Sequence, residues 1–490
     1  MPEGRAPNVV VLMSDQHRAD MIGCAGDPVV RTPNMDRLAA EGVRFSHTIC
    51  QGPLCMPARA SLLCERYVRD HGVFQNNSEV PTELPTGPQS LREAGYHTAV
   101  IGKTHLWKHD ARRNVSVYEM APLLERMGFE EIHETVGKLA NLAHRNPYTD
   151  HLKQMGLLET YQRHVGARSY GQQRRQSDEN LGSVPFWDAT PIDLPPDDYV
   201  DAWHGRFAAN WINGYRGDRP FFLFVGFPGP HDPWDAPREA VETYRESEIP
   251  LPGSTRRPRV HDTGPYGRFQ KTFMAFCSSD TLTPDRIRDA RRAYYANVSI
   301  IDAGIGGVLD ALEQRGELDN TWVVYTTDHG EMMGEHGLLA KMVFYAPSVR
   351  IPLIVRPPGG VEGRVITARI EQFDLSATIN EICEARPVPG SEARSLLPAI
   401  REAGEVPTRP ASISENWGFS MFETDRHKLV VHEDDLTPVQ LFDLAEDPLE
   451  DRDLIDDPAQ RATIEGLMET HVRPFFKTPP LRPHRPAFSR

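Results

Sequence analysis

The chain has 490 residues and carries 54 basic against 69 acidic side chains, a net charge of −15. This charge disfavours nucleic acid and anionic membranes as partners, and no stretch approaches the roughly 20 apolar residues of a membrane span. So long a chain exceeds one ordinary core, which predicts a large domain over 1–384 and a smaller one over 385–490.

The cysteine content and the N-terminal sequence indicate in which cellular compartment the protein is expected. Six cysteines without paired spacing indicate reduced thiols rather than a disulfide framework. Only about five strongly apolar residues precede Ser14, which is too few for the core of a secretory signal. We therefore expect a cytoplasmic location.

The first predicted element is a strand. The valine-rich run NVVVLMS, Asn8 to Ser14, is typical of a buried parallel strand, and Asp15 and Gln16 follow at its carboxyl end. Such a pair is commonly a turn or a helix cap. Because sites in open α/β sheets form outside the carboxyl ends of strands, the pair is also a candidate for metal binding.

A cysteine opens the next informative run, CMPARASLLCER. Pro57 suits the first turn of a helix, so we predict that a helix begins at Cys55. The positive end of the helix dipole, with Arg59 nearby, favours a thiolate or a bound anion there. A cysteine in this position can also be a small buried hydrophobe.

Two further strands are predicted to end near polar residues. HTAVIG, His97 to Gly102, leads into Lys103 and His105, and PFFLFVG, residues 220–226, leads through a proline-rich turn to His231. Between them, residues 108–200 are polar and weakly periodic. They predict an insertion over the site mouth, either a lid or an irregular surface excursion.

The segment from Pro284 to Gly316 has helical apolar spacing and predicts two helices. The strand TWVVYTT follows and delivers Asp328 and His329, with Lys341 further along. IPLIVR, residues 351–356, predicts another buried strand without evident chemistry. Carboxylate, amide and imidazole groups at positions 15, 16, 328 and 329 suit Ca²⁺, Mg²⁺ or Mn²⁺, and the imidazole favours Mn²⁺.

Beyond residue 384 the pattern changes. FSMFETDRHKLVVH and VQLFDL alternate enough to predict a small antiparallel sheet. The tail from Ile464 to Arg490 begins as a helix and ends in a basic, proline-rich stretch that cannot form its own core. The tail either wraps a neighbouring subunit or is disordered, and we expect a homo-oligomer, a dimer or a tetramer.

Four of these motifs together resemble the sulfatase family of the alkaline phosphatase superfamily. They are the CMPAR run, AGYHTAVIGKTH (residues 94–105), GFPGPHDPW and DHGEMMGEHGLLAK. Asn76, in HGVFQNN, matches the branch that contains choline sulfatases and phosphonate monoester hydrolases. The resemblance spans Asn8 to about Leu454. It implies an α/β fold in which helices sandwich a large, mostly parallel sheet, with a smaller C-terminal α+β subdomain.

The resemblance also implies a reaction. In that family a formylglycine-generating enzyme oxidises the matching cysteine, here Cys55, and the hydrated aldehyde attacks the sulfur of a small-molecule sulfate ester. One divalent metal is implied, with ligands Asp15, Gln16, Cys55, Asp328 and His329. The implied roles are orientation of the nucleophile by Arg59, proton acceptance by Asp328 and His105, stabilisation of the leaving oxygen by His231 or Lys341, and sulfate binding by Asn76, Lys103, His231 and Lys341.

Two alternatives stay open. Gln16 and His329 stand where the best-known arylsulfatases carry Asp and Asn, and both substitutions resemble the branch of choline sulfatases and phosphonate monoester hydrolases, so they leave the metal open. A phosphonate monoester or phosphodiester hydrolase would use the same nucleophile and metal, and it is the second hypothesis. Lys103 and His105 favour a sulfate ester, because the phosphonate hydrolases tend to lose both. A non-catalytic binding protein of the same fold would have lost ligands, and this chain keeps them.

The alcohol that leaves is not evident from the sequence. Trp107, His109 and Trp234 adjoin the motifs and either face the leaving group or pack in the core. A trimethylammonium group would need an aromatic cage, and no clear cage can be recognised.

Overall fold

A central sheet of nine strands organises the large domain. The computed structural model describes residues 5–109, 115–169, 184–185, 187–258, 264–277, 282–402, 406 and 408–481. The strands of this sheet and a separate two-stranded pair, β5 and β6, are β1 (Asn8–Asp15), β2 (Val43–Ile49), β3 (His97–Lys103), β4 (Glu131–Thr135), β5 (Arg168–Ser169), β6 (Val184–Pro185), β7 (Phe221–Pro230), β8 (Thr321–Thr327), β9 (Arg350–Arg356), β10 (Arg364–Ile366) and β11 (Ile370–Glu371).

The order across the central sheet is β10-β2-β9-β8-β1-β7-β3-β4, and β11 adds to β2. Among the strands that the structure describes, only β9 pairs antiparallel with its neighbours, and the other pairs in this sheet are parallel. The predicted mostly parallel sheet is therefore confirmed. As a result, β1, β3, β7 and β8 all end at the same edge.

Both faces of the sheet are covered, which explains the uninterrupted apolar runs. Along β1, Val10 and Leu12 pack toward one face, and Val9 and Val11 toward the other. One face carries α1 (Pro33–Ala40), α8 (Val200–Gly214) and α11 (Pro284–Gln314). The other carries α2 (Cys55–Cys64), α4 (Gly87–Glu93) and α13 (Asp374–Ile382).

The prediction of two helices over 284–316 is wrong, because α11 is one continuous helix of 31 residues. Gly304 of this helix serves close packing rather than a break. A Cβ on Gly205 of α8 would lie 2.4 Å from the Cα of Gly304. The two helices thus meet backbone to backbone, and packing outweighs the low helix propensity of glycine.

The segment 108–200 contributes an element that the sequence pattern did not predict. β4 pairs in parallel with β3 and forms one edge of the central sheet. Residues 110–114, 170–183 and 186 of the segment lie outside the described residues. The other helices of the described chain are α3 (Val68–His71), α5 (Ala121–Arg126), α6 (Pro147–Gln154), α7 (Leu158–Gly166), α9 (Arg238–Glu242), α10 (Gly264–Cys277), α12 (Ala346–Val349), α14 (Leu397–Glu402), α15 (Arg461–Leu467) and α16 (Arg473–Lys477).

The predicted C-terminal sheet is confirmed. Its four antiparallel strands, in spatial order, are β12 (Ser412–Asn416), β13 (Phe419–Glu423), β14 (His427–His432) and β15 (Pro438–Asp443). The boundary at residue 384 stays a prediction, and residues 482–490 of the tail lie outside the described residues. Among the helices described, none has both the length and the apolar character needed to cross a membrane.

Candidate active site

The candidate site lies where the parallel strands end. Asp15 is the last residue of β1, Lys103 is the last residue of β3, and Asp328 follows β8 directly. All three side chains are buried, and Lys103 Nζ lies 2.5 Å from Asp15 Oδ2. Residues that are far apart in sequence therefore meet, because the strands that carry them are parallel neighbours.

Cys55 is the first residue of α2, as predicted from Pro57. Its Sγ lies 3.2 Å from His329 Nε2 and 3.8 Å from Asp15 Oδ1, and the residue is only 1% exposed. The helix start thus places residue 55 against the ends of β1 and β8. The partial positive charge of the helix N-terminus favours an anionic group at this point.

Two buried carboxylates share one guanidinium. Arg59 donates from Nε to Asp328 Oδ2 at 2.8 Å and from Nη2 to Asp15 Oδ2 at 3.1 Å. Burial by itself would raise the pKa of Asp15, but Lys103, His231 and Arg59 together hold that pKa well below its ordinary value. Asp15 is therefore an anion at neutral pH.

A set of four donor groups fits a metal ion. One ligand atom from each of Asp15, Cys55, Asp328 and His329 lies within 4.8 Å of all the others. His329 Nδ1 donates to the Gly330 carbonyl at 3.0 Å, which leaves the Nε2 lone pair toward the cluster. Burial, above all, lowers the pKa of His329, and a neutral imidazole is the form that binds a metal. Carboxylate and imidazole donors suit the divalent cations expected from the sequence.

The Gln16 side chain lies beside this cluster and is fully buried. Its backbone N–H donates to Asp328 Oδ1 at 3.0 Å, and its Oε1 accepts a short hydrogen bond from Lys341 Nζ. The backbone of Gln16 has φ 70°, and His105 and Ala340 have φ 54° and 65°. Left-handed backbone at three non-glycine positions around one site is strain of the kind that concentrates at functional sites.

The cluster opens into a cavity of about 340 Å³. Lys341 Nζ lies 2.7 Å from His231 Nε2, whose ring is held because Nδ1 donates to the Asp232 carbonyl at 2.8 Å. The residues that line the cavity include the predicted ones and several others; they are Leu54, Cys55, Asn76, Lys103, His105, His109, Gly137, Lys138, Leu139, Ala140, His231, Asp232, Ala340, Lys341 and Met342.

Asn76 and His105 also face this cavity. Asn76 Oδ1 accepts from the Met56 N–H at 3.0 Å, so its Nδ2 is the donor available to a bound anion. Burial, together with His109 and Lys103, lowers the pKa of His105 well below its ordinary value. His105 is thus a neutral imidazole at physiological pH, the form that can accept a proton.

The structure shows where Trp107, His109 and Trp234 lie, which the sequence left open. Trp107 is packed, with Nε1 donating to Glu134 at 2.9 Å, and Trp234 is fully buried in the core. His109 lines the cavity and stacks on His105 with ring centroids 4.4 Å apart.

Lys138 and Asp232, which sequence reasoning missed, line the cavity as well. Asp232 had a signal, since it directly follows His231. Lys138 had none, because it lies in the weakly patterned segment 108–200.

The comparisons with known proteins agree with this geometry. A sequence profile described as Sulfatase matches residues 7–384, and one described as N-sulphoglucosamine sulphohydrolase, C-terminal, matches residues 334–473. The chain is 29% identical over 482 residues to a choline-sulfatase of Rhizobium meliloti, covering 94% of this chain and 86% of that protein. It is 26% identical to an arylsulfatase of Clostridium perfringens, with 95% and 94% covered.

A solved structure shares the fold. The phosphonate monoester hydrolase of Agrobacterium radiobacter matches with a TM-score of 0.78 at 23% identity, covering 96% of each chain. The family profile spans more than three quarters of the sequence and includes every motif that supplies the cluster and the cavity. The chain belongs to the sulfatase family, and it is an enzyme of the sulfuric ester hydrolase class.

Proposed function

We propose that this enzyme hydrolyses a small-molecule sulfate ester through a nucleophile derived from Cys55. The S–O bond to the alcohol breaks, water supplies the new oxygen, and the products are an alcohol and inorganic sulfate. The observation that supports this most is the position of Cys55, which lies between the four-donor cluster and a cavity lined by three lysines. An acidic protein thereby presents a locally cationic site to an anion.

Two groups complete the proposal. Formylglycine at position 55, made by a formylglycine-generating enzyme, supplies a hydroxyl nucleophile that a thiol lacks. A divalent metal, Mn²⁺ or Ca²⁺ or else Mg²⁺, would supply Lewis acidity that lowers the pKa of that hydroxyl when bound. Asp15, Gln16, Asp328 and His329 would hold the metal together with residue 55.

The remaining steps belong to other side chains. Lys103, Lys341 and the Nδ2 of Asn76 donate to the non-bridging sulfate oxygens as their charge changes. Lys341 and His231, with their nitrogens 2.7 Å apart, share the proton that the departing alcohol oxygen takes up.

The reaction ends when His105, as a neutral base, removes the proton that releases sulfate from residue 55. Arg59 keeps Asp328 oriented, through the 2.8 Å contact, to accept the first proton.

The experiment that tests this function is a panel of aryl, sugar and choline sulfates, each with its matched phosphodiester and phosphonate monoester. Peptide mass spectrometry on the same sample measures formylglycine at residue 55. We expect kcat/KM to be highest for a sulfate ester and to scale with formylglycine content. Full specific activity in a sample with unmodified cysteine would contradict the mechanism.

A matched variant sets the background of that panel. Cys55→Ala keeps the buried volume nearly unchanged but removes the nucleophile, so we expect kcat to fall by roughly 10⁶-fold, as when a catalytic nucleophile is deleted. Sulfatase activity that survives this substitution would move the nucleophile to another residue. The unfolding temperature of the variant, measured in parallel, verifies that the fold persists.

The second candidate is a phosphonate monoester or phosphodiester hydrolase. The fold shared with the Agrobacterium enzyme supports it. Lys103 and His105, both at the cavity, favour a sulfate ester. The same panel separates the two, because the second candidate requires a higher kcat/KM for the phosphorus esters.

The residues that line the cavity are relevant to the identity of the alcohol that is released. No Trp, Tyr or Phe among the described residues lines it. A quaternary ammonium group binds best against such rings. The cavity therefore gives no support to a trimethylammonium alcohol, although the Rhizobium relative is named choline-sulfatase.

A further inference from the structure

The Gln16 amide could face the four-donor cluster with either of its two ends. A glutamine offers an acceptor oxygen at one end and an N–H₂ donor at the other, and only the oxygen can ligate a cation. The two ends have nearly the same shape, so the hydrogen-bond partners decide the orientation. For a glutamine to act as a ligand, a neighbouring group that only accepts hydrogen bonds must therefore hold its nitrogen, so that the oxygen is left for the metal.

Glu331 is that neighbour. It is fully buried, and its Oε2 accepts a short hydrogen bond from Gln16 Nε2. Its other oxygen, Oε1, accepts the backbone N–H of Met333 at 3.0 Å and of Ala340 at 2.6 Å. The carboxylate is therefore held at both oxygens and presents an acceptor to the glutamine.

The opposite end of the amide is consequently fixed. Gln16 Oε1 accepts from Lys341 Nζ, and Lys341 lines the cavity next to Cys55. A second carboxylate oxygen, Asp232 Oδ1, lies 3.4 Å from Gln16 Nε2 on the same side as Glu331. Both acceptors favour the nitrogen on their side, and the oxygen is left for Lys341 and the site.

Glu331 also holds the turn that carries the lysine. The Ala340 N–H that it accepts belongs to the residue before Lys341, and the Met332 N–H donates to the Ala340 carbonyl at 2.8 Å. One carboxylate thus connects a candidate metal ligand with a candidate sulfate-binding lysine.

We propose that Glu331 is a positioning residue that fixes the Gln16 amide with its oxygen toward the site, so that Gln16 can serve as a metal ligand. This inference rests on the proposed metal site. Glu331 touches neither substrate nor metal in this proposal, and it acts through Gln16.

The test uses the full-length protein, freed of metal by chelation and titrated with Mn²⁺, with free Mn²⁺ followed by electron paramagnetic resonance. In Glu331→Gln, the backbone N–H groups of residues 333 and 340 retain the side-chain oxygen, so the new N–H₂ faces Gln16. Gln16 must then turn its oxygen to residue 331 and its nitrogen to the site. We expect the Mn²⁺ affinity to fall by about 10–100-fold, as for other residues that orient metal ligands.

A reciprocal exchange distinguishes orientation from general damage. In the double variant Gln16→Glu/Glu331→Gln, the carboxylate at 16 offers oxygen at both ends and accepts from the amide at 331. We expect this pair to regain most of the lost affinity. Glu335→Gln is the matched control, because Glu335 is buried in the same loop but bonds Arg291 at 2.9 Å, and its Mn²⁺ affinity should equal that of the wild type.

Wild-type Mn²⁺ affinity in Glu331→Gln, or a loss that the double variant does not restore, would overturn the inference. Failure of both variants to fold, judged by the unfolding temperature without metal, would assign Glu331 to the scaffold and overturn it too. If the unchanged protein binds no Mn²⁺, Ca²⁺ or Mg²⁺, the proposed metal site fails instead, so the two failures are distinguishable.

Discussion

The floor and the wall of the site differ in whether their polar groups are paired within the protein. The floor, made of Asp15, Arg59, Lys103 and Asp328, is buried, and its charges pair with one another. The wall is made of His105, His109, His231 and Lys341. There His105 Nδ1 and His109 Nε2 have no hydrogen-bond partner among the described residues. The fold itself fixes the floor, whereas the wall keeps bonding capacity for what enters the cavity.

The largest expected difference comes from breaking the floor. Arg59→Met keeps the aliphatic stem but leaves two buried carboxylates without their shared cation. Removing one partner of a buried ion pair typically costs about 3–5 kcal/mol, so the free energy of unfolding in urea at neutral pH should fall by that amount. Arg37→Met is the control, because Arg37 is 36% exposed and exposed pairs contribute little. Equal losses in the two variants would contradict the paired floor.

A change in the wall should affect turnover more than stability. In Lys341→Met, the cation proposed to contact the sulfate oxygens disappears, and kcat should fall by roughly 10²–10³, or about 2.7–4 kcal/mol. The hydrogen-bond partners left behind are the Gln16 amide oxygen and the His231 imidazole, and neither is a carboxylate. We therefore expect the free energy of unfolding to change less than in Arg59→Met. Wild-type turnover with a large stability loss would move Lys341 from the wall to the scaffold.

The support beneath the floor should respond to acid. His204 of α8 is buried below Gly102, with Nδ1 donating to the Val200 carbonyl and Nε2 accepting from Thr135 Oγ1 at 2.8 Å. Burial lowers the pKa of His204 to about 4. In the unfolded chain the pKa of this histidine is about 6.5, so the unfolded state binds a proton more readily than the folded state. The free energy of unfolding therefore falls as the pH drops from 6.5 toward 4.

At pH 5 the tendency of His204 to take up a proton on unfolding should lower the free energy of unfolding by about 2 kcal/mol relative to pH 7. Urea unfolding of the wild type and of His204→Gln at both pH values measures it. The variant should lose about that much less stability on acidification. An equal pH dependence in the two proteins would show that His204 does not titrate as described.

The smallest expected effect is in the wall. His109→Ala removes one neutral group from the cavity and the ring stacked on His105. We expect kcat/KM to change by about fivefold, close to the 1 kcal/mol of a neutral hydrogen bond, with a free energy of unfolding near that of the wild type. The size of the change should differ between aryl and sugar sulfates. A uniform change across the substrate panel would argue that His109 does not face the leaving group.

The floor was more predictable from the sequence than the wall. Asp15 and Asp328 follow short apolar runs, and Cys55 precedes a proline that marks a helix start, so local rules sufficed to locate them. The sequence also predicted the sheet type, since both faces of β1 are apolar. These features depend on neighbours in the chain.

The rest depends on partners that are distant in sequence. α11 continues through its glycines because Gly304 meets Gly205 of another helix. The contact of Glu331 with Gln16 joins positions 315 residues apart. Sequence spacing carries no signal for such pairs, and a charged residue in a loop is usually solvated. Only the folded arrangement identifies them.

The burial of Cys55 limits when the proposed oxidation of this residue could take place. A residue that is 1% exposed at the foot of a cavity offers no peptide segment for another enzyme to grip. The helix that Cys55 starts would have to unwind, and its contacts with the ends of β1 and β8 would have to break. The proposed oxidation of this cysteine would therefore have to occur before the strands close over it, and the rate of folding would compete with the rate of maturation.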